Sequence, residues 1–190
     1  MLLLPPSNFM RVLFAALTFA AIATPVPAQQ FGAAENLGPQ IPTPQLVVER
    51  MLEAGHVTSN DLLYDLGSGD GRIVIEAVRK YGARAVGIEI MPELCKKARE
   101  RIESLGLGDR ARIVEGSALR VDLSPATVVT MFFMTNSNER LRPALERLRT
   151  GARVVSNEFP IRGWRPSEVV HVKAGKMEHT IYVYQVGRTK

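Results

Sequence analysis

Tyr64-Asp65-Leu66-Gly67-Ser68-Gly69-Asp70-Gly71-Arg72-Ile73-Val74-Ile75 decides the fold. The apolar run Asp61–Leu66 reads as a short strand, and Gly71–Tyr81 as a helix closed by Gly82. Glycines between them let the backbone approach a ligand and permit positive φ. The helix that follows opens with unpaired N–H groups. A dinucleotide fingerprint needs G-x-G-x-x-G, whereas this turn is Gly67-x-Gly69-x-Gly71, one residue shorter. Asp65 precedes the first glycine by two residues. A carboxylate there suits a cationic amino group better than a pyrophosphate.

Strand and helix alternate on either side of this turn. Upstream, Thr43-Pro44 reads as an N-cap followed by proline at the first helical position, opening a helix over Pro44–Ala54. Downstream, the pattern predicts a strand over Ala83–Ile90, a helix over Pro92–Leu105, and strands over Ala111–Glu115 and Thr127–Met134. Thr127–Met134 is apolar almost throughout, as a central parallel strand should be. A helix over Pro143–Arg149 and a strand over Ala152–Ser156 follow. Two last strands, Glu168–Val172 and Thr180–Val186, have only Ala174–Glu178 as a hairpin turn between them. This order predicts an α/β, doubly wound, Rossmann-like and mostly parallel seven-stranded sheet ending in a C-terminal antiparallel hairpin.

Residues 12–23 form an uncharged apolar run behind Arg11, with Val26 and Ala28 where a signal peptidase reads. Residues 1–28 are therefore expected to be a signal peptide or an N-terminal membrane anchor, and Met10 is an alternative start. The domain is expected in the cell envelope, exported or anchored through residues 12–23, with the cytoplasm as the alternative. Residues 29–41 carry Gly, Pro and Gln without apolar period and read as a flexible linker. The folded domain is expected over 42–190.

The 190 residues carry 46% hydrophobic and 23% charged side chains, an ordinary globular balance that argues against disorder. A single cysteine, Cys95, excludes an intramolecular disulfide, and three scattered histidines match no metal-ligand spacing, so no metal is expected. The net charge of +5 is spread over several helices. That distribution suits a solvated surface better than a nucleic-acid footprint.

Glu89 ends the strand after the glycine-rich turn, where a carboxylate can accept both hydroxyls of a ribose. Asp65, the glycines and Glu89 together describe a ligand with an amino-acid end and an unphosphorylated ribose. S-adenosylmethionine fits that description.

With these residues in place, the chain from about Ile41 onward resembles the class I S-adenosylmethionine-dependent methyltransferases. More narrowly, it is similar to the archaeal broad-specificity protein-lysine methyltransferases and their mitochondrial relatives, which modify ATP synthase c-subunit or the adenine nucleotide translocase. The stretches that carry this are Pro42-Thr43-Pro44, residues 64–75, 126–143 (ATVVTMFFMTNSNERLRP), 151–166 (GARVVSNEFPIRGWRP) and 179–187 (HTIYVYQVG). The resemblance implies methyl transfer to exposed protein lysines, with Asp65, Gly67 and Gly69 at the methionine end of the cofactor and Glu89 at its ribose. Thr43 and Ser68 join them as cofactor-binding positions, and Ser117 falls near adenine, where the family more often has an acidic or amide residue. Thr135 and Asn136 match the acceptor side, with Asn136 as the catalytic candidate. Asn157 stands where the family usually shows His.

A lysine amine must reach the methyl group unprotonated, although its reference pKa is about 10.4. An apolar, aromatic channel would lower that value. Phe159 and Trp164 are the channel candidates, with Phe132 and Phe133 beside them; ordinary core packing is the alternative for Phe132, Phe133 and Trp164. Asn136 can orient the amine or cap a helix. Glu158 can guide a lysine or bridge to Arg162. Nucleic-acid or small-molecule methylation, and a silent cofactor-binding protein, are the competing functions; the chain lacks the clustered basic groove that nucleic acid calls for. Oligomeric state is not legible.

Overall fold

The computed structural model describes residues 41–189 together with Glu35, Leu37 and Gly38. The export or anchor segment expected over 1–28 lies outside the described residues. In chain order the elements are α1 (Gln45–Ala54), β1 (Leu62–Leu66), α2 (Arg72–Tyr81), β2 (Arg84–Glu89), α3 (Pro92–Ser104), β3 (Ala111–Glu115), β4 (Val128–Met131), α4 (Thr135–Leu145), β5 (Arg153–Asn157), β6 (Glu168–Ala174) and β7 (Met177–Gln185).

The seven strands form one sheet in the order β3-β2-β1-β4-β5-β7-β6. Strands β1 to β5 run parallel, β7 lies antiparallel against β5, and β6 pairs antiparallel with β7. Strand order reverses between β1 and β4, so a crevice opens at their carboxyl ends. Helices α1, α2 and α3 cover one face, packing Val48, Leu52, Val74, Ala77 and Ala98 onto Leu63, Ala85, Val128 and Val155. Helix α4 covers the other face with Leu141 and Leu145 on Tyr64, Leu66, Val129 and Val154. Each buried Val or Leu among them contributes about 1.5–3 kcal/mol. Cover on both faces is why β4 reads as an apolar run broken by Thr130 alone.

Several boundaries differ from the sequence expectation. Pro44 is itself the N-cap of α1, with extended ψ 145, so Thr43 lies one residue outside and caps nothing. Its carbonyl instead accepts a 2.7 Å hydrogen bond from Arg72 Nη1. The helix expected over Pro143–Arg149 begins eight residues earlier, at Thr135, and Pro143 sits inside it. Proline gives up one helical hydrogen bond there, but Leu141 and Leu145 on either side are fully buried and hold the turn to the sheet. Strand β4 ends at Met131, because Phe132 and Phe133 leave the ladder to wall a cavity. The terminal hairpin is longer than expected, joined by the two residues Gly175 and Lys176 with Gly175 at φ 65.

The span read as a linker is also docked in part. Glu35 pairs with Arg120 at 2.5 Å. The Leu37 carbonyl accepts from Ser137 Oγ at 2.6 Å, and the Leu37 side chain is buried.

Candidate active site

The crevice holds a cavity of about 220 Å³, floored by the glycine-rich turn and the ends of β1 and β2. Glu35, Leu37, Gly38, Ile41, Pro42 and Thr43 wall it on one side, and Phe132 and Phe133 on another. Asp65, at the end of β1, is almost fully buried and accepts a 2.8 Å hydrogen bond from Thr130 Oγ1 on β4. Burial pushes its carboxyl up to about 7; the Thr130 hydroxyl opposes this, and the nearby Glu89 and Asp70 charges add to it. A cation placed beside Asp65 would restore the carboxylate.

Glu89 is held differently. Its Oε2 accepts from Gly69 N at 2.7 Å, and its Oε1 accepts from Ile90 N and Met91 N at 2.9 Å each. Three backbone donors fix the carboxylate on the cavity wall, and its remaining lone pairs are free to accept hydroxyl groups.

Four of the five amides from Gly67 to Gly71 are spent internally. Gly67 N and Ser68 N donate to the Ile88 carbonyl, Gly71 N to the Ser68 carbonyl, and Gly69 N to Glu89. A phosphate cradle needs such groups free, so this loop is unsuited to a pyrophosphate. Gly67 has φ 72, and a Cβ there would lie 2.8 Å from Phe133 Cζ. Gly69 has φ 54, yet a Cβ there would meet no protein atom within 4 Å. Open space beside Gly69, between two buried acids, is room for a ligand with a cationic end and a hydroxylated end. The residues therefore fit S-adenosylmethionine.

Asp70 and Arg72 clasp the rim. Arg72 donates through Nε and Nη2 to the two Asp70 oxygens at 2.8 Å, and through Nη1 to Thr43. These bonds hold the Asp70 carboxyl below the usual carboxylate range.

Of the expected site residues, Thr43, Asp65, Gly67, Ser68, Gly69 and Glu89 line this one cavity. Ser117 is buried between the lining residues Gly116 and Ala118, and its Oγ accepts from Leu119 N at 3.3 Å. Asn136 is exposed in the first turn of α4, off the cavity wall, and Met134 rather than Asn136 occupies the N-cap. Phe159 reaches the cavity through one ring, stacked on Phe132 with centroids 6.2 Å apart. Trp164 packs edge-on against Tyr184 at 5.7 Å and belongs to the core beneath α4. Glu158 faces His179, while Arg162 pairs with Glu139.

Sequence reading missed Thr130, Arg72 and the buried Asn138. Thr130 carried a signal in retrospect: it interrupts an apolar strand directly opposite Asp65.

Comparison with known proteins agrees with this geometry. The family model described as the ANTKMT methyltransferase domain matches residues 65–168. Over 154 residues the chain is 52% identical to a protein-lysine N-methyltransferase of Saccharolobus islandicus (strain REY15A), covering 80% of this chain and 96% of that relative. It is 36% identical over 123 residues to the Homo sapiens lysine N-methyltransferase of the ATP synthase c-subunit, covering 64% of this chain and only 51% of that relative's length. A solved structure described as an RNA methyltransferase from Salinibacter ruber in complex with S-adenosyl-L-homocysteine aligns with a TM-score of 0.73 at 45% identity, covering 77% of this chain and 94% of that one.

Proposed function

This chain belongs to the family of the ANTKMT methyltransferase domain, and we propose that it methylates the ε-amino groups of exposed protein lysines. It is an S-adenosylmethionine-dependent methyltransferase. The observation that carries the reading is the pairing of buried Asp65 with amide-anchored Glu89 across a glycine turn that spends most of its own N–H groups internally.

Bound there, S-adenosylmethionine supplies an electrophilic methyl group on a sulfonium. Asp65 would hold the amino group of the methionine end, and Glu89 the ribose hydroxyls. Gly67 and Gly69 allow close backbone approach, and Thr43 with the segment before it closes the cavity from above. Ser117 stands near the adenine end. The chain's remaining task is to align an amine with that methyl group and to keep it unprotonated.

Charge on the cavity favours an amine over a nucleic acid. Among the described lining residues Glu35 is paired with Arg120 and Asp70 with Arg72, which leaves the acids Asp65 and Glu89 without a paired cation. Such a rim attracts a lysine and repels a phosphate backbone. RNA methylation is the second reading, carried by the Salinibacter ruber likeness.

The test incubates the purified protein with methyl-labelled S-adenosylmethionine and a cell lysate, split between protease and nuclease treatment. Label that survives nuclease, vanishes with protease and maps to lysine by mass spectrometry is the expected result. Nuclease-sensitive label would move the acceptor to RNA. The proposal extends to placement: the apolar run over 12–23 tethers or exports the domain at the cell envelope. Full-length protein recovered wholly in the cytosolic fraction would refute that part.

A further inference from the structure

A second cluster of polar side chains stands next to the cofactor cavity, in the turn that closes β5. Asn157 is fully buried, and among the described residues neither atom of its amide has a hydrogen-bond partner. His179 on β7 is 4% exposed; its Nδ1 lies 2.5 Å from Glu158 Oε1, and among the described residues its Nε2 has no partner. Glu158 itself adopts φ 65, a left-handed conformation that a non-glycine residue rarely takes. Buried unpaired amides and strained backbone both cost folding free energy, and here they occur at consecutive residues.

The backbone on the other side of the same turn is satisfied. The Phe159 carbonyl accepts from Ser156 Oγ at 2.6 Å and from Asn138 Nδ2 at 3.0 Å. Ile161 N donates to the Tyr184 hydroxyl at 2.9 Å. On that side Asn138 Oδ1 is itself buried without a partner among the described residues, whereas the α1 side leaves both amide atoms of Asn157 and Nε2 of His179 open.

Sheet register places that capacity. Asp65 pairs with Thr130, and Thr130 with Val155, so two residues further along Asn157 shares their face and follows Phe132, a cavity-wall residue, in the next row. Asn157 is also opposite Ile181, two residues from His179 on the same face. Phe159, from the same turn, stacks on Phe132.

We propose that Asn157, Glu158 and His179 form the receiving site for the acceptor amine, a reading that rests on the lysine function above. The lysine stem lies along the Phe132–Phe159 pair. Its ammonium gives one proton to the imidazole of His179, and the freed lone pair stays on nitrogen. Asn157 Oδ1 accepts one of the remaining N–H bonds and orients that lone pair. Glu158 holds the imidazolium formed and, being partly exposed, passes the proton on to water. The new C–N bond then forms from the amine lone pair as the methyl–sulfur bond breaks with its electrons on sulfur. The resulting methylammonium loses its extra proton to solvent.

Three full-length variants test this: Asn157→Leu, His179→Gln and Glu158→Gln. Readouts are thermal unfolding, S-adenosylhomocysteine affinity by calorimetry, and methyl-lysine formed by mass spectrometry against rising concentrations of lysate protein. Asn157→Leu replaces unpaired polar atoms by an apolar group of similar volume, so its midpoint should equal or exceed that of wild type. S-adenosylhomocysteine should bind all three within about twofold of wild type, while methyl-lysine formation falls about a hundredfold in Asn157→Leu and His179→Gln. The His179→Gln loss should lie in kcat, with KM nearly unchanged. Methyl-lysine formation within threefold of wild type in a folded Asn157→Leu or His179→Gln protein overturns the proposal. So does a parallel loss of S-adenosylhomocysteine affinity, which would place the cluster in the cofactor site. A wild-type protein that binds S-adenosylhomocysteine but forms no methyl-lysine overturns the lysine reading first and this site with it.

Discussion

Lowering the pH from 7 to 6 should weaken cofactor binding about fivefold, and Asp65 should account for it. Its carboxyl titrates at about 7 because the protein buries it. Only the carboxylate form pairs with the ligand's amino group, which belongs to a free amino acid and stays protonated over this range. At pH 7 roughly half of the Asp65 side chains carry the required charge; at pH 6 the share falls to about one in eleven. That is a drop of about fivefold, or about 1 kcal/mol. Between pH 7 and 8 the share rises to about nine in ten, and affinity should gain a little under about twofold.

Isothermal titration with S-adenosylhomocysteine across pH 5.5–8 measures this directly. Repeating it at pH 7 in buffers of different ionisation enthalpy should reveal release of roughly 0.5 proton per site. In Asp65→Asn the acid limb should vanish and affinity should be low at every pH. An affinity that stays flat below pH 7 in the wild type, or an acid limb that survives in Asp65→Asn, would refute the assignment of Asp65 to the ligand's cationic end.

The same carboxyl makes a stability prediction with its own sign. A raised folded-state pKa means that the native chain holds its proton more tightly than the unfolded one, so stability falls as pH rises from about 4 to about 7. Asp65→Asn should therefore stabilise the ligand-free protein at pH 8, by at most roughly 4 kcal/mol, and give no gain at pH 4; equal midpoints at both pH values in thermal unfolding would contradict this. Gly67→Ala forces a Cβ to within 2.8 Å of Phe133 at φ 72 and should cost about 1–3 kcal/mol in urea unfolding. Glu89→Gln turns an amide against some of the N–H groups of Gly69, Ile90 and Met91. It should cost about 1–3 kcal/mol of stability and weaken S-adenosylhomocysteine binding about tenfold or more, read by calorimetry.

Most of the fold was legible because strand and helix periods alternate cleanly from Asp61 to Glu115, with glycines at the helix ends. Helix α4 was misplaced because Pro143 reads locally as a helix start, and only the burial of Leu141 and Leu145 outweighs its missing donor. The segment before Thr43 looked like a linker because its fixing contacts are remote. Glu35 reaches Arg120 and Leu37 reaches Ser137, and neither pairing leaves a periodic trace. The cofactor acids were legible because each sits at a strand end next to a recognisable turn. Asn157 and His179 were not brought together in the sequence, since only the antiparallel register of β5 with β7 brings them near each other.

That difference between the two sides of the site has a physical origin. On the cofactor side the chain resolves almost every polar demand locally: the amides of the glycine turn go to Ile88 and Glu89, and Thr130 serves Asp65. What remains there is acidity, and acidity selects among ligands. A phosphorylated nucleotide would bring negative charge toward Asp65 and Glu89 and find most of the turn's amides already engaged, whereas an amino-acid end and a bare ribose complement both acids. On the acceptor side the demand is left open at Asn157 and at Nε2 of His179, within a turn otherwise held firmly by Ser156, Asn138 and Tyr184. A rigid frame around unsatisfied groups positions hydrogen-bonding atoms before the substrate arrives, so that little reorganisation is needed at the moment of transfer. Filling those positions with apolar atoms should therefore make the fold easier to hold together and the reaction harder to carry out, and it is the opposite signs of those two effects that separate a receiving site from ordinary core packing.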